Sequence, residues 1–238
     1  MRINKIKKLL NEIKGIEYHN QLNPEIWNNF MLIPEVKNKL MDIANNFIEF
    51  MEINKDSILN IVFTGSLANY NYNKFSDIDL HIIVDFDKIH KDCPIVGEFF
   101  NAERSLFNKK HNITIKDYPV EVYVEDSKNP ATSSGVFSIK NNTWIKKPEY
   151  KNIDIDDKAV KVKHNYYVKI IKEVLKNKHG IEEAENILNK IYNMRKSGLS
   201  KGGEYSVENL VFKLLRNENL INKLKGYIDI NQDKELSL

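Results

Sequence analysis

The chain of 238 residues carries one cysteine, Cys93. A disulfide framework and a cysteine-based zinc site are thereby excluded. No apolar run approaches the roughly 20 residues that a helix needs to cross a bilayer. The segment from Met1 to Lys14 has charges spaced through it and no apolar block of signal-peptide length. A cytoplasmic location is expected. Internal repeats and low-complexity segments are absent as well.

Arginine is scarce. Of 36 basic residues only Arg2, Arg104, Arg195 and Arg216 are Arg, and the other 32 are Lys. Lys, Asn and Ile are all abundant and share A/T-rich codons, so the lysine excess reads as coding bias. An arginine kept in such a chain is the more informative residue. The net charge of +3 is small. It excludes a histone-like arm and a disordered acidic tail, and it does not require a nucleic-acid partner.

What is present is enough apolar material, 42% of the chain, for one large domain or two small ones. Pro34 opens a helix whose stripe is Leu40, Ile43, Ala44, Phe47, Ile48 and Met51. A shorter helix is expected at about 3–14. Ile58–Phe63 reads as a buried strand broken by Thr64-Gly65-Ser66, after which Leu67–Tyr72 makes one or two helical turns. Asp77–Val84 and Pro119–Val124 alternate as strands, the second with Val120, Val122 and Val124 on one face and Glu121, Tyr123 and Glu125 on the other. Helix is expected over 95–110. Val136–Lys140 and Thr143–Lys147 read as a hairpin about a two-residue turn at Asn141-Asn142. Beyond a polar joint at 151–157 the pattern is helical: about 157–178, 181–196 closed by Gly198, 207–217 capped by Ser206, and a last turn at 219–225. The charge divides at the joint, with net −1 over residues 1–150 and net +4 over 151–238. The expected fold class is α/β (α+β): a catalytic core with N-terminal helices over 1–150, built on a short mixed sheet flanked by helices, and a helical subdomain over 151–238 forming the other wall of a cleft.

One constellation carries chemistry. A strand ends in Gly65-Ser66, and ten residues later comes Asp77-Ile78-Asp79-Leu80. Acids at i and i+2 on a strand share a face. Like charges held together are costly unless a cation neutralises them, and Mg²⁺ is the hard ion that suits carboxylates. Two metals about 3.5–4 Å apart, the geometry of in-line displacement at phosphorus, need a third acid. Glu121 is the candidate, charged in mid-strand between Val120 and Val122. Gly65 lets backbone N–H groups approach a phosphate, and Ser66 adds a hydroxyl. The other two Asp-x-Asp pairs, 85/87 and 154/156, fall at a strand end and a helix start and read as structural.

FTGS…SDIDLHIIV resembles the nucleotidyltransferase superfamily typified by DNA polymerase β. Its motif is a hydrophobic residue, Gly, Gly or Ser, a spacer, then Asp-hydrophobic-Asp/Glu-hydrophobic. The resemblance implies Asp77, Asp79 and Glu121 as catalytic ligands of two Mg²⁺ ions, with Mn²⁺ as a substitute. It places Gly65 and Ser66 on the triphosphate of an NTP. Asp is the commoner third acid in that superfamily. TGSLANYNYNKFSDIDLH, SSGVFSI…W and GGEYSVENLVFKLLR also resemble nucleotidyltransferases of large tailed bacteriophages, which implies no particular acceptor.

Secondary candidates have two readings each. Lys74 reaches a phosphate and a nearby tyrosine stacks on the base, or both belong to a polar loop with buried rings. His81 lines the nucleotide site or is bonded within the sheet. Ser134 and Gly135 face the nucleotide or acceptor, or the hairpin simply closes the sheet. Lys213 and Arg216, three apart on one helix face, grip phosphates, or lie on a solvated face with Glu204 and Glu208 as ion-pair partners. The expected reaction moves a nucleoside monophosphate from an NTP to an acceptor hydroxyl, with an RNA end slightly favoured by the charge of 151–238. A small-molecule or protein side-chain acceptor is the alternative. A non-catalytic nucleotide- or nucleic-acid-binding module of the same fold is the rival from another class. No membrane partner is expected.

Overall fold

A computed structural model describes residues 19–91, 93–128, 133–150, 156–177 and 180–238. The helix expected at 3–14 and most of the joint at 151–157 lie outside these. The chain divides into two compact units, Tyr18–Lys151 and one that holds Asn152–Leu238.

In the first unit a small antiparallel pair, β1 (Trp27–Asn28) and β2 (Met31–Leu32), precedes helix α1 (Pro34–Phe50). Pro34 sits in the first turn of α1, where its missing N–H removes no bond. Val36, Leu40, Ile43, Ala44, Phe47 and Ile48 are buried at helical spacing. The helix ends with Glu52 at φ 51°, while Ile53 N–H donates to Ile48 O at 3.0 Å. This left-handed closure is one usually given to glycine.

Strand β3 (Ile58–Thr64) follows, and Gly65 turns the chain into a single 3₁₀ turn, Ser66–Ala68. The turn is shorter than the one or two helical turns expected, because Asn69 to Asn73 pack inward instead of continuing it. Strand β4 (Ile78–Val84) leads through helix α2 (Cys93–Lys110) to β5 (Thr114–Ile115) and β6 (Tyr118–Asp126). The hairpin β7 (Val136–Ser138) and β8 (Thr143–Lys146) completes a sheet of order β5-β6-β4-β3-β7-β8. Ser138 pairs with Thr143, so four residues rather than two make that turn, with Asn142 at φ 55°.

The sheet is mixed. β4 and β6 are parallel, and all other neighbours are antiparallel. Parallel neighbours need a long crossover, and α2 provides it. Leu80, Ile82, Val122, Phe63 and Phe137 are fully buried, each contributing about 1.5–3 kcal/mol by leaving water. Asn108 on α2 completes β6: its side-chain amide accepts from Val122 N–H and donates to Val122 O, both at 3.2 Å.

The second unit is helical: α3 (Asp157–Asn177), α4 (Ile181–Gly202), α5 (Val207–Asn217) and α6 (Leu220–Leu236). Asp156 caps α3, accepting from Ala159 N–H at 2.9 Å, and Ser206 caps α5, accepting from Asn209 N–H at 3.3 Å. The most buried helix is α5, with Leu210, Val211, Phe212, Leu214 and Leu215 all in the core. Gly198 does not end α4 as its residue type suggested. It lies inside the helix because a Cβ there would come within 2.5 Å of Glu208 Cβ and 2.7 Å of Ser206 Oγ. The last turn expected at 219–225 is a full helix, whose buried Leu220, Ile221, Leu224 and Ile228 give it a packed face.

Glu208 pairs with Lys163, and the hydrogen bond from that ammonium is the largest of the effects holding its carboxyl below the ordinary value of 4.5. A carboxyl with a depressed native pKa adds stability above its unfolded pKa and loses it as pH falls through the native one. The urea midpoint of Lys163→Met is therefore expected to lie below that of the wild type at pH 7, and the gap should close on acidification below about 4. A gap independent of pH would exclude the pair as its source.

Candidate active site

Register places the acids. Asp79 on β4 pairs with Glu121 on β6, and Thr64 on β3 pairs with Asp79 from the other side. In-register neighbours project to the same face. Asp77 immediately precedes Ile78 at the start of β4, two residues before Asp79, and its charge acts on Tyr123, as those of Asp79 and Glu121 do. All three carboxylates are half-buried. Their opposite face is apolar, with Ile78, Leu80, Val120 and Val122 buried in the core.

The Gly65 turn abuts this face. Gly65 has φ 83° and ψ −163°, and a Cβ on it would fall 1.8 Å from Asp79 Oδ2. The turn and the second aspartate are therefore in direct contact, which accounts for glycine at that point of the motif. Trp27 holds the turn from behind: its indole N–H donates to Leu67 O at 2.7 Å, and its ring stacks on Phe63 and Trp144. Ser66 donates its hydroxyl to Ser76 Oγ at 2.8 Å, tying the turn to the residue before Asp77.

Ser134 and Gly135 come to the same turn. Asn69 donates to Ser134 Oγ, Thr64 Oγ1 donates to Gly135 O at 3.0 Å, and a Cβ on Gly135 would meet Ala68 O at 2.0 Å. Lys74 is exposed on the loop beside Phe75. The tyrosines of that loop are core residues rather than stacking surfaces: Tyr72 is covered by His19 at 3.8 Å, and Tyr70 meets Tyr150 edge-on. Lys213 and Arg216 are half-buried on α5 and belong to the helical unit. In that unit Arg195 lies 4.2 Å from the Phe212 ring.

Beside His81, which the sequence singles out, the acid face carries a second layer in which sequence reasoning missed Tyr123 and Arg104. Tyr123, opposite His81 in the register, donates its hydroxyl to Glu121 Oε2 at 2.5 Å. Burial first, then that hydrogen bond, then the charges of Asp79, Glu121 and Asp77 push the phenol far above its ordinary value, so it stays protonated. His81 is buried and stacks on Tyr123 at 4.6 Å, and its Nδ1 lies 2.8 Å from Glu125 Oε1, at ion-pair distance but without hydrogen-bond angles. Arg104 reaches the Tyr123 ring from α2 at 4.6 Å. Strand alternation already put Tyr123 beside Glu121, and the scarcity of arginine was the signal for Arg104.

The donor set fits a hard divalent cation in kind, since carboxylate oxygens are its preferred ligands. Among the described residues, however, no three His, Cys, Asp or Glu are drawn together as a ready metal cage. No helix among them is long and apolar enough to cross a membrane.

One of three comparisons with known proteins agrees with the motif. No curated protein matches the chain. Among solved structures, the Elizabethkingia meningoseptica CdnE cyclic dinucleotide synthase with GTP and Apcpp is 13% identical, with 94% of this chain and 82% of that chain covered and a TM-score of 0.28. The STING-associated CdnE c-di-GMP synthase of Capnocytophaga granulosa is 14% identical, with 86% and 84% covered and a TM-score of 0.22. The model of the nucleotidyltransferase domain matches residues 44–179, a stretch that contains the Gly65 turn and all three acids. With more than half of its length matched, the chain belongs to the nucleotidyltransferase domain family and is a transferase.

Proposed function

We propose that the chain moves a nucleoside monophosphate from an NTP to an acceptor hydroxyl, releasing pyrophosphate. The observation that carries this reading is the pairing of Asp79 with Glu121 on a face that also holds Asp77 and abuts Gly65. Asp77 and Asp79 would hold both of two Mg²⁺ ions, or Mn²⁺ in their place, and Glu121 would join them at one. Such ions supply charge neutralisation at the phosphates and ease loss of the acceptor's proton.

The chain's own part is positional. Two adjacent stiff strands, β4 and β6, hold the carboxylates, so little movement is needed to bring them to a common point. The glycine turn lets backbone N–H groups of Gly65 and Ser66 approach the leaving phosphates beside Asp79. Ser134, tied to the same turn through Asn69, offers a further hydroxyl to the triphosphate. Lys74 on its exposed loop, and Lys213 and Arg216 on the helical unit, are the proposed cationic contacts to phosphate. The +4 balance of residues 151–238 favours an RNA end as acceptor over a small molecule or a protein side chain.

The test is incubation of the full chain with each α-labelled NTP, Mg²⁺ or Mn²⁺, and a total cell extract. Label entering the RNA fraction with matching pyrophosphate release is the expected result. Label in protein or small molecules keeps the reaction and changes the acceptor. NTP binding with no label transfer and no pyrophosphate from any NTP would overturn the reading and favour a binding module.

A further inference from the structure

We propose that Tyr123, steadied by His81 and Arg104, is a positioning residue that sets the orientation of the third carboxylate. The proposal rests on Glu121 acting as a metal ligand.

Glutamate has one more rotatable bond than aspartate, so a Glu at this place has more freedom to lose before it can serve. Tyr123 removes that freedom. It stands two residues along β6, projects from the same face, and donates to Glu121 Oε2 at 2.5 Å. With Oε2 accepting the phenol's hydrogen bond, Oε1 would be the oxygen freer to meet a cation. The phenol is itself held from both flanks of its strand. On one side is β4, whose His81 pairs with Tyr123 in the register and stacks on it at 4.6 Å and 19°. Along the other edge runs α2, fixed to Val122 through Asn108, and it brings Arg104 to 4.6 Å from the ring. A guanidinium on an aromatic face is an attractive contact, stronger where water is excluded. Hydrogen-bond partners behind a metal ligand typically change metal affinity by about 10–100-fold.

The experiment is a titration with Mn²⁺ alone, followed by electron paramagnetic resonance. It compares the wild type with Tyr123→Phe, Glu121→Gln and Arg104→Met, each also melted thermally. Tyr123→Phe keeps the ring and loses the donor, so Mn²⁺ binding should weaken about 10-fold or more with the melting midpoint little changed. Glu121→Gln should weaken it at least as much. Arg104→Met, which leaves every acid and the phenol in place, should shift affinity in the same direction by a smaller factor. Tyr123→Phe binding within about twofold of wild type, while Glu121→Gln is weakened, overturns the positioning role and leaves the metal reading intact. Wild-type affinity in Glu121→Gln overturns the reading beneath it. Should Tyr123→Phe fail to fold, unchanged affinity in Arg104→Met overturns the proposal by itself.

Discussion

Asparagine in place of Asp79 is expected to lower pyrophosphate release by more than about 100-fold, with unfolding in urea changed by no more than about 1 kcal/mol. The magnitude follows from what a lesser change costs. Loss of a group behind a metal ligand costs about 10–100-fold, and loss of one well-placed donor to a transition state about 100–1000-fold. A carboxylate central to the trio should exceed the first and reach the second. Asp79 holds that centre, with Glu121 beside it in the register, Thr64 across from it, and Gly65 against its oxygen. The fold should tolerate the change because Asn has the same shape, and because one of three neighbouring negative charges disappears. Turnover within about tenfold of wild type would show that the charge at 79 is not used.

Gly65→Ala is expected to fail on both counts, losing turnover and about 2–5 kcal/mol of stability. Two costs add. At φ 83° and ψ −163° the backbone occupies a region open essentially to glycine alone, where another residue costs about 1–3 kcal/mol. The new Cβ would also fall 1.8 Å from Asp79 Oδ2 and 2.9 Å from its Cγ, so the turn or the carboxylate must move. Either movement separates the glycine turn from the acids. Gly180→Ala is the comparison, since a Cβ there meets nothing within 4 Å. The double variant Gly65→Ala with Asp79→Ala should be more stable than the two single losses summed, because the second change removes the group that is struck. Simple additivity would mean that the contact does not set the cost.

The part of the fold legible in sequence was the part encoded locally. Alternation in Asp77–Val84 and Pro119–Val124 marked two strands, and the helical stripe after Pro34 marked α1. The spacing from Gly65-Ser66 to Asp77 pointed to the family that the domain match shows. Glu121 stood out as a charge between valines, and the register then set it beside Asp79. What escaped was non-local. No periodicity tells that Trp27 donates to Leu67, 40 positions on, or that Asn108 serves as an extra strand for Val122. Gly198 reads as a stop signal because glycine ends many helices, whereas here it makes room for α5. Asn142 reads as part of a two-residue turn, since its tolerance of positive φ says nothing of how long the loop is. That His81 and Arg104 both meet Tyr123 depends on one register and one crossover, which only the assembled sheet specifies.

The parallel pairing of β4 with β6 also bears on when activity can arise during synthesis. Asp79 and Glu121 are separated by β4's own end, the whole of α2 and β5. The β3–β4 antiparallel pair can form early, because its contacts span few residues and little loop entropy opposes them. The contact that completes the trio must wait until the chain has passed Glu121 and laid β6 back along β4. If Glu121 serves as proposed, a nascent or truncated chain ending before β6 would carry the recognisable motif without its third acid. On the proposed assignment such a chain would stay silent on the ribosome, and its first turnover would report that the long-range half of its sheet has closed.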